Sequence, residues 1–438
     1  MYVVSYILTG VVLLALLAVI IGVSIASYNE EGKSSLEIFG EIFVNTIASL
    51  VGILLAYFLY RFLFLVSHRN EDKNKVSYAN ADMWKQYHNN YRQQFCIHDN
   101  RVFTVYCEPM FCNAKNLNVA VDDYPDEFFE LDSFIKTQFF NVIEAHAMSE
   151  STNSITVRLK EVVKPDDAHV VIRTMRSTYL SHMLTNRALD YELKPGITIR
   201  SLFENTDRLI PPQRSRMSNH LGVNALVFLK QGENKQAWLL LPERGSNATV
   251  AKNKVTASIA TRVKMKDYTQ HLTTRQITEG CIHEAIKKSV RLSEVPKMEI
   301  EFLGLSRDIY EGGKPTLFYA VYLDMTKDHY KRQREKYEYN TSLEQAAKHA
   351  EVLKGLIPKE EESIDEVKTI HVVDWSTVTM GEPYTTDFDP EPDYYDPAYD
   401  KALLEFTAEG VTEHKAFEQN LIANFWFLQN CKPKAEKD

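Results

Sequence analysis

The sequence predicts an α+β protein whose soluble part follows an N-terminal two-helix transmembrane hairpin. Three observations carry that expectation. Residues 3–26, VVSYILTGVVLLALLAVIIGVSIA, hold no charge and exceed the roughly 20 apolar residues a helix needs to span a bilayer. A second apolar segment, about 37–66, follows after the short polar stretch YNEEGKSSL (28–36). Beyond residue 154, short apolar runs of strand length surround one isolated helical stretch.

The first span lacks the basic start of a signal peptide, although Ser24, Ile25 and Ala26 offer a cleavable spacing. The hairpin loop carries Glu30, Glu31 and Lys33, whereas Arg69, Lys73 and Lys75 follow the second span. The positive-inside bias then sets both termini in the cytoplasm. Glu37, Glu41, Asn45 and Ser49 recur every fourth residue and form a polar stripe on the second span. Such a stripe lines an oligomer interface or a pore, or else lies partly among headgroups and packs on the first span.

Residues 68–150 read as a juxtamembrane connector: a polar aromatic helix over 76–95, a strand over 101–109, and a helix over 126–148 with Phe and aliphatic residues at helical spacing. The main domain is expected over 151–370. Its elements are a strand at 154–163, a hairpin of VNALVFL (223–229) and QAWLLLP (236–242) around KQGENK, and an alternating strand at 254–264. A helix over about 275–292 comes next, then strands at 297–305 and 316–323 turned by Gly312, Gly313 and Pro315. The tail reads as a helix at 341–356, a short strand at 369–375, an acidic loop at 387–400 and a helix over 401–430 that docks on the domain; the last expected region is 371–438.

The formal net charge of -9 argues against wholesale binding of DNA or RNA but not against a local basic pocket. The five cysteines are scattered without a C-x-x-C pair, which suits a reducing compartment and buried thiols such as Cys107 and Cys112 better than a disulfide framework.

Strand order, the strand segment Thr256-Ala257-Ser258-Ile259, the stretch Glu284–Lys288 opening the helix, and Leu303–Asp308 give the region from about Ser154 to Met325 a resemblance to the Nudix fold. That fold is a mixed or antiparallel sheet with flanking helices and one short catalytic helix. The Nudix box, G-x5-E-x7-R-E-U-x-E-E-x-G-U, sets glutamates on one helix face to hold Mg²⁺ against a diphosphate, because Mg²⁺ demands hard oxygen ligands. Aligned here, Thr274 stands at the glycine, Gly280 at the upstream glutamate, Lys288 at the arginine and Val290 at the aliphatic position. Ser289, Leu292 and Ser293 stand where the three glutamates belong. The chain is therefore expected not to be an enzyme, with no catalytic residue, metal or cofactor.

A hairpin ahead of such a domain resembles the transmembrane-Nudix effectors of CBASS, the cyclic-oligonucleotide anti-phage systems of bacteria. The resemblance implies a receptor-effector, anchored by two spans in a bacterial inner membrane, that binds a cyclic di- or trinucleotide, assembles with copies of itself and disrupts the lipid bilayer of that membrane. The alternative is a membrane-anchored, Mg²⁺-dependent hydrolase of a nucleoside diphosphate derivative, drawing on Glu279 with Glu284 or Glu311.

A cyclic nucleotide needs cations for phosphates, planar groups for bases and hydrogen-bonding groups for base edges. The densest source is RTMRSTYLSHMLTNR, with Arg173, Arg176, Tyr179, His182 and Arg187. Asn219 and His220 stand at a strand entrance, Arg244 in a turn, and Lys254, Thr256 and Ser258 alternate on one strand. The helix has also gained the cations Lys287, Lys288 and Arg291, suited to hold phosphates directly; Lys314 and Arg307 are weaker candidates. Each cation has an equally simple role in a surface ion pair or a solvated helix face.

Overall fold

The run GVNALVFL shows why the architecture centres where it does. Val223, Ala225, Val227 and Leu229 enter one core cluster, while Leu226 and Phe228 enter another on the opposite side. A strand alternates its side chains between two faces, so a continuous apolar run marks a strand covered on both. The neighbouring TLFYAVYL behaves the same way, with Leu317, Tyr319, Val321 and Leu323 on one side and Phe318, Ala320 and Tyr322 on the other.

The computed structural model describes residues 87, 89–98, 101–113, 117–138, 154–190, 192–194, 197–204, 206–245, 251, 253–353, 367–380 and 403–431. All lie in the compact unit Val76–Asp438. In chain order the elements are β1 (Arg92–Ile97), β2 (Arg101–Cys112), β3 (Asn118–Phe128), α1 (Ser133–Thr137), β4 (Ile155–Val163), β5 (His169–Thr178), α2 (Tyr179–Leu184), β6 (Glu192–Lys194), β7 (Ile197–Thr198) and α3 (Ile199–Phe203). They continue with β8 (Gly222–Gln231), β9 (Asn234–Arg244), β10 (Ile259–Arg262), a π-helical turn (Gln276–Gly280), α4 (Cys281–Ser289), β11 (Met298–Asp308), β12 (Lys314–Leu323) and α5 (Lys327–Leu353). The last are β13 (Val367–Met380), β14 (Leu404–Ala408), β15 (Val411–Lys415) and α6 (Gln419–Asn430).

The large sheet runs β1-β2-β11-β12-β8-β9-β13-β14-β15. Its β12–β8 pair is parallel and the others are antiparallel. β8 is shared: residues 222–225 pair with β10, and its far end pairs with β9. On one face lie α4 and the smaller sheet β3-β5-β4, contributing Ile282, Ile286, Leu159 and Ile172 to a common core. The other face is covered by α6, whose Phe427 stacks on Phe318 with centroids 4.6 Å apart. Each large side chain buried this way is worth about 1.5–3 kcal/mol. Gly304 sits in a bulge of β11 at φ +148, where a Cβ would lie 2.3 Å from the Phe111 carbonyl oxygen, so β2 can approach only a glycine.

The structure corrects several expectations. Strand residues outnumber helical ones, so the described unit is mostly sheet rather than the α+β arrangement expected behind a hairpin. The hairpin, 3–26 and 37–66, with its stripe Glu37, Glu41, Asn45 and Ser49, lies outside the described residues. Among the described residues no helix is long and apolar enough to cross a membrane. The longest, α5, is studded with Lys, Arg, Asp and Glu. The location as a two-span inner-membrane protein with cytoplasmic termini is withdrawn on that finding.

The helix expected over 401–430 begins only at Gln419. Leu404, Phe406 and Ala408 alternate into the core as β14, because a period of two rather than 3.6 buries them. In the connector, β3 runs to Phe128 and α1 covers only Ser133–Thr137; the strand β1 occupies the end of the expected 76–95 helix. Cys112 and Cys431 form a disulfide across a Cα–Cα distance of 5.2 Å, tying β2 to the end of α6 in place of the expected free thiols. Cys107 and Cys281 are buried and unpaired.

Candidate functional site

The starting end of β8 and β12 gathers side chains from four separate segments. Thr178 caps α2 by accepting from the Ser181 amide, and this turns the chain at the end of β5 so that Tyr179 and His182 stand beside His220. The His182 and His220 rings stack with centroids 3.7 Å apart. Tyr179 lies over His220 at 6.3 Å, and the Arg262 guanidinium lies 5.0 Å above the Tyr179 ring. Arg262 is opposite Gly222 in the β10–β8 register, and Thr316 is opposite Gly222 from the β12 side. A Cβ on Gly222 would lie 3.6 Å from Cε of Lys314, which brings that lysine next to His220.

The floor is charged. Glu311 receives Arg187 at 2.8 Å and Lys314 at 2.6 Å, with all three side chains largely buried. Burial alone would raise the Glu311 carboxyl, but Lys314 and Arg187 hold it down at about 2. Behind it stand Asp308, pushed up to about 7 by burial and by Glu311, and Glu418, also raised by burial. Burial, Lys314 and Arg187 drive the His182 pKa well below its ordinary value; burial, His182 and Lys314 do so for His220. Both imidazoles are thus neutral at pH 7. Among the described residues, His182 Nδ1, His220 Nδ1 and Asn219 Nδ2 are buried without a hydrogen-bond partner. Asn219 sits at φ 45, and its amide N–H donates to Asn186 Oδ1 at 2.9 Å while its Oδ1 accepts from Asn186 at 3.0 Å.

Tyr179, His182, Arg187, Asn219 and His220 thus meet, joined by Lys314, while the other candidates lie elsewhere. Arg173 faces outward on β5 against Asp122 and Glu161. Arg176 is fully buried in a bidentate pair with Asp123, at 2.7 Å twice, and also donates to the Tyr268 and Gln270 carbonyls. Ser258 bridges Leu240 and Val227, and buried Thr256 donates to the Ala257 carbonyl, so both serve the sheet. Arg244 ends β9, where its amide bonds the Lys254 carbonyl. On α4, Cys281, Ile282, Ala285 and Ile286 face inward, which leaves Lys287 and Lys288 exposed. Arg291 clamps α5 and β13 through Glu338 and the Val367 carbonyl. Arg307 pairs with Glu108.

The positions of the missing box glutamates are equally plain. Leu292 is wholly buried, and Ser293 bonds Gln333 of α5. Glu279 pairs with Arg275 at the surface, Glu284 is exposed, and Glu311 is in the floor described above, so the three are not gathered. Among the described residues no group of three or more His, Cys, Asp or Glu could hold a metal ion.

Sequence reading did not single out Arg262, and it named Glu311 only as a carboxylate for the hydrolase alternative. Arg262 falls in the same alternation as Lys254, Thr256 and Ser258, which was the available signal. A cleft of about 530 Å³ lies between α5 and β13–β15, but Glu335, Glu338, Glu409 and Glu413 outnumber Lys331 and Arg334 there, which disfavours an anion. Compared with known proteins, the sequence matches no family model and no curated protein.

Proposed function

We propose that the chain is a non-hydrolytic receptor for a cyclic di- or trinucleotide, held at the His182–His220 site and released intact. The observation that carries this reading is the coexistence of three cations, Arg187, Arg262 and Lys314, with three buried nitrogens that lack partners. Each buried polar group left unsatisfied costs about 1–3 kcal/mol, a cost a base-bearing anion would relieve. Arg187, Arg262 and Lys314 suit phosphates. The half-buried Tyr179 ring suits a base face, and the unpartnered nitrogens suit base edges. The exposed or paired carboxylates near α4 favour binding over metal-assisted cleavage. In this reading the chain acts as an effector of antiviral signalling, and the liganded form self-associates.

The test is a melting curve of the full-length chain with a panel of cyclic di- and trinucleotides, with and without Mg²⁺, followed by mass analysis of the recovered nucleotide. One member should raise the melting temperature and return unchanged. Consumption of a nucleotide only in Mg²⁺ would reverse the reading in favour of a hydrolase.

A further inference from the structure

An anion entering this site meets cations that are already engaged. Arg187 and Lys314 converge on one carboxylate, that of Glu311, which is buried with 6% of its surface exposed. The surrounding turn is built to hold it there. Gly312 adopts φ +59, and a Cβ on it would lie 2.9 Å from Leu189 Cδ2. Asn186 donates to the Glu311 carbonyl at 2.7 Å and to Asn219 at 3.0 Å, so the turn is fixed to the segment that presents His220. Asp308 supports the same turn by accepting from the Tyr310 amide.

We infer that Glu311 is a built-in counter-anion that a ligand phosphate must displace from Arg187 and Lys314, making it a specificity-determining residue of the site. The inference rests on the receptor reading above and deepens it. With Glu311 in place the cations carry little free charge, so chloride or a lone carboxylate gains almost nothing by entering. A phosphodiester has more acceptor oxygens for the same cations, and the attached bases add contacts to Tyr179 and the unpartnered nitrogens. Only a ligand carrying both kinds of group can offset expulsion of the carboxylate. Selectivity then comes from competition inside the protein rather than from the shape of an open pocket.

Calorimetric titration of the full-length chain at fixed salt and neutral pH tests this, with inorganic pyrophosphate, cyclic di-AMP and the panel member that stabilises the wild type as probes. Glu311→Gln keeps the size and removes the charge; it should bind that member about tenfold or more tightly and should gain measurable affinity for pyrophosphate. Glu311→Asp keeps the charge but cannot span both cations, so its affinity should fall between the two. Adding Arg187→Gln to the Glu311→Gln chain should abolish the gain. Wild-type binding that is unchanged or weakened in Glu311→Gln would overturn the inference and leave the receptor reading standing. If Glu311→Gln fails to give a cooperative melt, Glu311→Asp decides: affinity equal to or below wild type overturns the inference. No binding of any probe by wild type or variants would remove the receptor reading and this inference with it.

Discussion

Arg176 and His182 are six residues apart, and both are buried, yet their surroundings are opposites. Arg176 has its charge matched by a bidentate carboxylate, and that carboxylate, Asp123, also accepts from Thr174 and from the Leu272 amide. Burial would raise the Asp123 carboxyl, but these donors hold it below its usual range. His182 and His220 instead sit neutral among cations, with nitrogens unsatisfied. A closed network fixes the fold by joining β3, β5 and the loop before the π turn. An open one is poorly explained by folding alone, since a core gains nothing from unpaired polar atoms. Between these two regions the pattern of satisfaction, not the residue type, makes the difference.

The largest effect that would sharpen this contrast is on the scaffold side. Arg176→Met leaves Asp123 buried and unpaired and should cost about 3–5 kcal/mol in urea unfolding. Its ligand affinity, measured on the fraction that remains folded, should change little. A loss of affinity with normal stability would merge the two regions and break the comparison. Reducing the Cys112–Cys431 disulfide comes next. It closes a separation of 319 residues and should contribute about 2–5 kcal/mol, seen as a lower melting temperature in reductant with binding retained.

The pH dependence separates the regions by position on the scale. Both histidines have folded pKa values below their unfolded values, so their stabilising contribution is complete above about 6.5 and is lost as pH falls below it. Glu311, held at about 2, contributes above its ordinary range near 4.5 and loses that contribution only between there and about 2. Glu204 runs the other way. Burial raises it to about 7, so its contribution is present below 4.5 and disappears as pH rises through 7. Asp308, also raised to about 7, acts in the same direction as Glu204, so below about pH 6.5 the histidines make stability rise with pH while Glu204 and Asp308 oppose that rise from about 4.5 to 7. His182→Asn should lessen the rise of melting temperature with pH below 6.5, and Glu204→Gln should steepen it between about 4.5 and 7; unchanged slopes would refute these assignments. The smallest expected effect is from Lys287→Ala with Lys288→Ala: within about 0.5 kcal/mol in stability and within about twofold in affinity. A larger loss of affinity would move the site toward α4.

The parts of the fold that sequence revealed were those set by local rules. The β8–β9 hairpin is marked by two apolar runs around Gly232, and the β11–β12 turn by Gly312 and Gly313. The parts it concealed depend on distant pairing. Nothing local tells that Arg176 meets Asp123, 53 residues away, while Arg187 meets Glu311, 124 residues away. The segment 173–187 therefore read as one cluster, although β5 alternation sends Arg173 outward, Arg176 inward, and only the part from Tyr179 on to the site. At the C-terminus, Phe425 and Phe427 gave a true helix signal that was extended too far back across β14 and β15.

The most direct test of the account compares the wild-type chain with the double variant Arg187→Gln and Lys314→Met by titration with the stabilising cyclic nucleotide, recovering the ligand for mass analysis. Two charge-assisted contacts at about 1.5–3 kcal/mol each predict a loss of at least about 100-fold, with the nucleotide returned intact by the wild type. Equal affinity in the two proteins, or a ligand cleaved by the wild type, would contradict the claim that this site binds without cutting.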